Sequence, residues 1–267
     1  MSSHALDGYS CTPFNALGKR RDVYRTGSGP AVIVISEVPG ITPNVADFGR
    51  RVAAIGCTAV LPHVFGVPGK PASSGYAMKT FAGACISREF SAFALRRASP
   101  ITVWLRELAR AAHQECGGPG VGVVGMCFTG GFALAMMVDD TVLAPVLSQP
   151  SLPLPLTRAH RRDLGVSDQD LERIKERAAA GVCVLGLRFT HDRLVPEQRF
   201  QRLRDELGDA FVAVEIDSSP GNPHGHPRVA HSVLTEHLID REGSPTRAAL
   251  DQVLELFRNR LLVAADE

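Results

Sequence analysis

The sequence predicts an α/β fold in which a central, mainly parallel β-sheet is covered by helices on both faces. Three observations predict it: short β-branched runs alternate with segments of helical spacing, the runs are almost wholly apolar, and turn-forming residues separate them. A chain of 267 residues, 45% apolar and 21% charged, suits one large domain of this kind. Because no Pro/Ser/Gly linker divides the chain, we expect a single domain over residues 1–267.

Six short runs rich in β-branched residues are typical of buried strands, namely 31–38, 57–66, 120–126, 141–150, 181–189 and 210–217. Five segments are predicted as helices, namely 45–56, 99–115, 130–138, 196–208 and 246–263. Ser99 and Pro100, for example, suit an N-cap and a first helical position. The proline-rich and then charged stretch at about 151–179 interrupts the alternation, and we expect it to be a helical excursion over the sheet edge.

Composition argues against several classes of function. The net charge of +1 and the isoelectric point near 7.7 give no basic surface for a nucleic acid. The N-terminal stretch lacks the basic and apolar regions of a secretory signal, and no apolar run is long enough to span a membrane. The six cysteines include no C-x-x-C pair, which is typical of reduced thiols. We therefore expect a soluble, cytoplasmic protein without nucleic-acid or membrane partners.

The stretch VVGMCFTGGFALAMM, residues 123–137, puts Cys127 where an apolar strand turns sharply into a helix. The small residues Gly125, Thr129 and Gly130 permit such a bend. The N-terminus of the following helix favours a thiolate and offers N–H groups to an oxyanion. The pattern predicts Cys127 as a nucleophile, with a buried packing cysteine as the alternative.

Three other predicted strands are followed by residues suited to catalysis. Glu37 follows AVIVIS, Asp192 lies in THDRLVP, and His231 lies in the long loop after AFVAVEID. Since sites in parallel sheets lie at the carboxyl ends of the strands, we expect these side chains to meet Cys127. Nucleophile, acid and histidine also follow one another in the chain order of an α/β-hydrolase triad.

The histidine loop leaves alternatives open. His226 is the second candidate for the base, ahead of His224 and His237, and its Pro/Gly-rich surroundings predict a solvent-exposed side chain. His224 and His226 form an H-x-H pair without a further ligand at zinc-site spacing, so we expect neither a metal nor a cofactor. Asp217 also ends a strand, but a capping role in the next turn explains it.

The motifs GMCFTGG, SEVPG, HDRLVP and AHSVLTE resemble those of the dienelactone hydrolase family, cysteine-dependent members of the α/β-hydrolase superfamily. The resemblance extends from about residue 31 to the C-terminal helix. It implies the α/β-hydrolase fold and hydrolysis of small esters or lactones. It also implies Cys127 as nucleophile, His231 as base and acid, Asp192 as the orienting carboxylate, and Glu37 as the partner that controls the thiol.

Two departures accompany this resemblance. The family pattern has glycine two residues after the nucleophile, where this chain has Thr129, and a β-branched residue makes a tight turn harder. The second departure is the charged excursion at about 151–179. Because of it, the family's namesake lactone is not carried over as the substrate of this chain.

Four further residues complete the predicted site. The backbone N–H groups of Phe128 and Val38 are expected to form the oxyanion hole. Gln149, at the end of VLSQP, is expected to face the cleft and contact substrate. Arg88 is expected either to hold a substrate carboxylate or to form a surface ion pair.

Two other functions remain open from the sequence alone. The first is a non-catalytic protein that binds a small molecule on the same fold. Thr129, in place of the family's glycine, is the residue that suggests this loss of activity. Acyl transfer to an acceptor other than water is the second. We expect a monomer or a homodimer.

Overall fold

The centre of the molecule is an eight-stranded β-sheet, seen in a computed structural model that describes residues 4–86 and 99–262. The strands are β1 Ser10–Ala16, β2 Lys19–Gly27, β3 Ala31–Ile35, β4 Thr58–Pro62, β5 Val121–Met126, β6 Val142–Ser148, β7 Val184–Phe189 and β8 Phe211–Ile216. They lie in the order β1-β2-β4-β3-β5-β6-β7-β8. The six strands from β4 to β8 in this order are parallel, while β1 and β2 run antiparallel at one edge.

Eight α-helices are found among the described residues. They are α1 Pro43–Ala54, α2 Ser74–Ile86, α3 Pro100–Cys116, α4 Gly130–Met136, α5 Arg158–Arg162, α6 Asp168–Ala179, α7 Glu197–Leu207 and α8 Pro245–Phe257. A 3₁₀ turn, Cys127–Thr129, joins β5 to α4, and a π-helical turn, Arg258–Leu262, follows α8. The predicted N-cap of α3 is confirmed, because the Ser99 hydroxyl accepts the N–H of Thr102 at 3.3 Å.

Alternate residues of the central strands pack into two separate hydrophobic cores, one on each face of the sheet. Ile33 and Ile35 face a core that contains residues of α3, α4, α6 and α7. Val32 and Val34 face the other core, built with α1 and α8. Both faces are therefore covered, which explains why the parallel strands are apolar throughout instead of alternating with polar residues. The predicted α/β-hydrolase fold is confirmed.

The antiparallel hairpin β1–β2 is an element that the sequence did not predict. Its strands are rich in polar residues, and most side chains of β1 are exposed, so no apolar run marks them. Leu17 and Gly18 connect the strands with φ values of +51° and +72°, which suits a two-residue hairpin turn. The hairpin extends the sheet beyond β4, on the side away from β5.

The segment 151–179 packs against the body of the protein through α6 and through a buried arginine. Leu171 and Ile174 of α6 lie in the core shared with α3 and α7. Arg199 of α7 is 1% exposed and donates to the carbonyl oxygens of four residues, Pro150, Pro153, His160 and Asp163. These bonds fix the start of the segment to α7. Within the described residues, no helix is both long and apolar enough to cross a membrane.

Candidate active site

The register of the sheet brings three strand ends to the same level. β3 and β5 are adjacent and parallel with Ile35 opposite Gly125, and β5 pairs with β6 with Met126 opposite Ser148. Glu37 and Cys127 therefore each follow a paired residue by two positions. Gln149 comes directly after Ser148 and lies beside the elbow.

Cys127 occupies a sharp turn with a left-handed backbone. Its φ is +54°, a conformation that non-glycine residues rarely adopt. The turn needs glycine on both sides: a Cβ on Gly125 would lie 2.2 Å from the carbonyl oxygen of Thr129, and one on Gly130 would lie 2.5 Å from Cα of Pro150. The sharp strand-to-helix turn predicted at Cys127 is present.

Thr129 fits this elbow, and its hydroxyl ties two strands together. Its φ of −95° is ordinary, so the position does not require glycine. The hydroxyl oxygen accepts the N–H of Met126 at 3.0 Å and lies 2.9 Å from the carbonyl oxygen of Ile35, to which it donates. The threonine therefore joins the end of β5 to the end of β3.

His231 and Asp192 form a close pair. Nδ1 of His231 donates to Oδ2 of Asp192 at 2.5 Å, and Oδ1 of Asp192 accepts the N–H of Leu194 at 2.9 Å. Burial alone would lower the pKa of His231, but the charge of Cys127 and the hydrogen bond to Asp192 outweigh it and hold that pKa well above its usual value. Nε2 of His231 is buried, and no described residue meets strict hydrogen-bond geometry with it.

The thiol of Cys127 has a hydroxyl neighbour that the sequence did not predict. Sγ of Cys127 lies 3.5 Å from Oγ of Ser151. The N–H of Ser151 also donates to the carbonyl oxygen of Cys127 at 3.0 Å. Ser151 is 1% exposed. It is the first residue of the segment that follows β6.

Glu37 is buried and bound to the histidine loop. Its carboxylate accepts hydrogen bonds from the hydroxyls of Ser232, at 2.5 Å, and Thr235, and from Nε2 of Gln149 at 3.4 Å. Burial raises the pKa of Glu37, although the two hydroxyl bonds act in the opposite direction. The described contacts of Glu37 do not include the Cys127 thiol, which we had expected it to touch.

Gln149 differs most from its expected role. It has no exposed surface and a φ of +37°. Its Oε1 accepts the N–H of Val233 at 3.3 Å and the hydroxyl of Ser148, while Nε2 reaches Glu37. These bonds join β6 to the histidine loop and leave no atom on the cleft surface for the expected substrate contact. Arg88, the other expected substrate ligand, lies outside the described residues.

Two other histidines of this loop, His226 and His237, make contacts that the sequence did not predict. His226 was expected to be exposed, but it is 4% exposed and packs against the ring of Phe189 at 5.1 Å between centroids. The His231–Asp192 bond distinguishes His231 from it. His237 was ranked low, yet its Nδ1 accepts the N–H of Ser232 at 3.1 Å. Burial and the charge of His231 lower the pKa of His237, which keeps this ring neutral and able to accept.

Sequence reasoning missed Ser151, Ser232 and Thr235 because a hydroxyl in a loop carries no motif. Asp217 is exposed and accepts the N–H of Ser219 at 2.8 Å, so the capping interpretation is confirmed.

Two surfaces lie next to these side chains. The ring of Phe128 meets those of Phe65, Phe81 and Phe132 edge to face, with centroids 5.9–6.5 Å apart. A cavity of about 430 Å³ adjoins His231 and Asp192. It is lined by His191, Asp192, Arg193, Leu194, Arg228, Val229 and His231. Within residues 4–86 and 99–262, no cluster of three His, Cys, Asp or Glu side chains is arranged to hold a metal.

The fold and the elbow define an α/β-hydrolase. The chain belongs to the dienelactone hydrolase family, whose model matches residues 22–261. Family membership indicates a hydrolase. No curated protein gave a significant match.

Solved structures share the fold at low identity. A provisionally assigned dienelactone hydrolase from Klebsiella pneumoniae subsp. pneumoniae is 17% identical, with a TM-score of 0.64 over 93% of this chain and 97% of that one. A dienelactone hydrolase-like promiscuous phosphotriesterase from metagenomic libraries is 18% identical, with a TM-score of 0.60 over 95% and 98%. A zinc-bound, cold-adapted esterase from an Arctic intertidal metagenomic library is 12% identical, with a TM-score of 0.57 over 95% and 93%. At these identities the likeness supports the fold alone.

Proposed function

We propose that the chain hydrolyses small esters or lactones through a thioester formed on Cys127. The observation that carries this proposal is the His231–Asp192 pair, 2.5 Å apart, beside a cysteine at the positive-φ position of the elbow. The charge of Cys127 contributes to the raised pKa of His231, as expected of a thiolate–imidazolium pair.

In the acylation step, the Cys127 thiol transfers its proton to Nε2 of His231 and the sulfur attacks the carbonyl carbon. A carbon–sulfur bond forms while the carbonyl π electrons move to oxygen. When the tetrahedral intermediate collapses, the carbon–oxygen bond to the leaving group breaks, and the imidazolium gives its proton to the leaving oxygen. Asp192 holds the imidazole in the required tautomer and stabilises its charged form.

Hydrolysis of the thioester regenerates the enzyme. His231 takes a proton from water, and the resulting hydroxide attacks the thioester carbonyl. The carbon–sulfur bond then breaks, so the acid product leaves and the thiolate is restored beside the imidazolium. Because a thiolate leaves more readily than an alkoxide, Cys127 suits substrates with stable leaving groups, such as enol-lactones and activated esters.

The oxyanion of each tetrahedral intermediate is assigned to the backbone N–H groups of Phe128 and Val38. The sheet register supports this assignment, since the two residues follow the paired residues Ile35 and Gly125 by three positions each. Two N–H groups aimed at one oxygen stabilise its developing charge without reorganisation during the reaction.

The surroundings favour a substrate with an apolar body. The aromatic wall around Phe128 includes two half-buried rings, Phe65 and Phe81. The cavity next to His231 is lined in part by the exposed side chains of Leu194 and Val229. Apolar surfaces of this kind bind a small ester by removing its hydrocarbon surface from water.

Glu37 and Gln149 are assigned supporting roles in this mechanism. Both side chains are buried, and their hydrogen bonds lead to Ser232, Val233 and Thr235, the residues just after His231. We infer that they position the imidazole. A role for Arg88 in binding a substrate carboxylate stays a prediction, as do the cytoplasmic location and the monomeric or homodimeric state.

A panel of small aryl esters and enol-lactones, assayed with the purified protein and with Cys127→Ala, tests the proposal. We expect turnover by the wild type and none above background by the variant, with an acyl adduct on Cys127 trapped by mass spectrometry on rapid quenching. An adduct that an added alcohol or amine discharges faster than water does would favour acyl transfer. If neither protein reacts with any member of the panel, the non-catalytic binding function replaces hydrolysis.

A further inference from the structure

The hydroxyl of Ser151 lies beside the sulfur of Cys127. Oγ and Sγ are 3.5 Å apart, which is within hydrogen-bond range for sulfur. The carboxylate of Glu37, in contrast, accepts hydrogen bonds from Ser232, Thr235 and Gln149. The environment of the thiol is therefore set by His231 on the histidine loop and by Ser151 after β6.

Ser151 is held in place by contacts independent of its hydroxyl. Its N–H donates to the carbonyl oxygen of Cys127 at 3.0 Å. The preceding residue, Pro150, lies against Gly130 of the elbow, and its carbonyl oxygen accepts from Arg199 at 2.7 Å. The backbone at residue 151 is thus fixed to both the elbow and α7, and the side chain is buried.

We propose that Ser151 is a further catalytic residue, whose hydroxyl donates a hydrogen bond to the Cys127 thiolate. Once the thiol has lost its proton, the sulfur can only accept, so the hydroxyl must be the donor at 3.5 Å. A hydrogen bond to the charged form stabilises the thiolate relative to the thiol. The same bond stabilises the thiolate when the acyl-enzyme breaks down.

This inference deepens the proposed function, because it concerns the nucleophile of the same site. Its test measures the thiol itself and does not need an ester substrate. Failure of the ester panel and failure of this inference are therefore distinguishable. The ionisable groups of the site, His231, Asp192 and Glu37, remain unchanged in the variants used.

The experiment is the pH dependence of alkylation of Cys127 by iodoacetamide, followed by peptide mapping, in the wild type and in Ser151→Ala. Loss of one hydrogen bond to a charged group is expected to raise the midpoint by about one pH unit. Alkylation on the acidic limb then becomes about tenfold slower, while the alkaline plateau stays within about twofold.

Ser167→Ala is the matched control from the same segment. Its hydroxyl caps α6 by accepting the N–H of Asp170 at 3.0 Å, so its loss lowers stability without touching the thiol. We expect a wild-type alkylation midpoint in this variant, which would separate a change in stability from a change at the sulfur. If Ser151→Ala does not fold, Ser151→Gly removes the same hydroxyl.

Two results would overturn the inference. One is an alkylation profile of a folded Ser151 variant that coincides with the wild-type profile. The other is an equal shift of the midpoint in Ser167→Ala, which would assign the effect to loosened packing of the segment 151–179.

Discussion

At the scale of single residues, the site depends on one geometric distinction between two histidines of the same loop. His231 bonds to Asp192 and lies close enough to Cys127 for the charge of the sulfur to raise its pKa. His226 is packed on Phe189, and neither of its ring nitrogens has a hydrogen-bond partner among the described residues. The two rings therefore have separable effects on activity and stability.

Replacing each histidine by alanine tests this distinction. His231→Ala is expected to lower kcat for an activated ester by about 10³-fold, because the general base is lost. His226→Ala is expected to keep kcat within about threefold but to lose about 1–3 kcal/mol of stability, because a packed ring is removed. Steady-state kinetics and urea unfolding measure the two effects. Loss of turnover in His226→Ala alone would contradict the assignment.

The buried carboxyl of Glu37 gives a signature in the dependence of stability on pH. Burial raises its pKa above the ordinary value of 4.5, so the folded protein holds the proton where the unfolded chain releases it. Its stabilising contribution is present in full below pH 4.5 and is lost as the pH rises through the pKa of the folded state. His231, whose pKa is also raised, acts in the same direction at higher pH.

Glu37→Gln removes the first of these contributions. We expect the fall in stability above pH 4.5 to become less steep in the variant, while the part due to His231 remains. Thermal unfolding of both proteins between pH 4 and pH 8 measures the difference between the two curves. A constant difference across that range would mean that Glu37 titrates alike in the folded and unfolded chains.

At the scale of elements, the sequence predicted the parallel strands and their helices because burial on both faces leaves a continuous apolar signal. It missed β1, an edge strand with mostly exposed side chains, and β2, where polar residues such as Arg20 and Arg25 interrupt any apolar run. Cys127 and Asp192 were predictable as candidate site residues because each follows an apolar strand, whereas His231 was chosen within its long loop through the family resemblance. Ser151 and His237 were not, since their contacts depend on how two loops fold back upon the site.

Close packing around the elbow leaves room only for glycine at positions 125 and 130. A Cβ on Gly130 would lie 2.5 Å from Cα of Pro150, a backbone atom that cannot move aside. Gly130→Ala is therefore expected to lose about 1–3 kcal/mol of stability and at least about tenfold in kcat, because the elbow shifts relative to Ser151.

Gly83→Ala serves as the control, measured by the same urea unfolding and ester assay. Gly83 lies on α2 with nothing within 4 Å of an added Cβ, so alanine should leave activity unchanged and raise stability by up to about 1 kcal/mol. Similar losses in the two variants would show that the effect of alanine at position 130 does not come from the close contact with Pro150.

At the scale of the whole molecule, Arg199 joins α7 to the residues that follow β6 and to the first part of the segment 151–179. Its guanidinium is buried, and burial lowers its pKa to about 10. It donates to carbonyl oxygens at Pro150 and Pro153, on either side of Ser151, and to two more in and just after α5. The segment was predicted to be an excursion over the sheet edge. In the structure its first residue, Ser151, contacts Cys127.

Arg199→Met is expected to cost about 3 kcal/mol or more, because four buried carbonyl oxygens lose their donor. It should also lower kcat, since Ser151 is no longer held against the elbow. Arg202→Met, one turn along α7, removes a partly exposed guanidinium that pairs with Glu206 at 3.4 Å and should cost less than about 1 kcal/mol. Urea unfolding and ester hydrolysis measure both. If Arg199→Met loses stability but keeps wild-type kcat, the segment supports the fold without positioning the nucleophile.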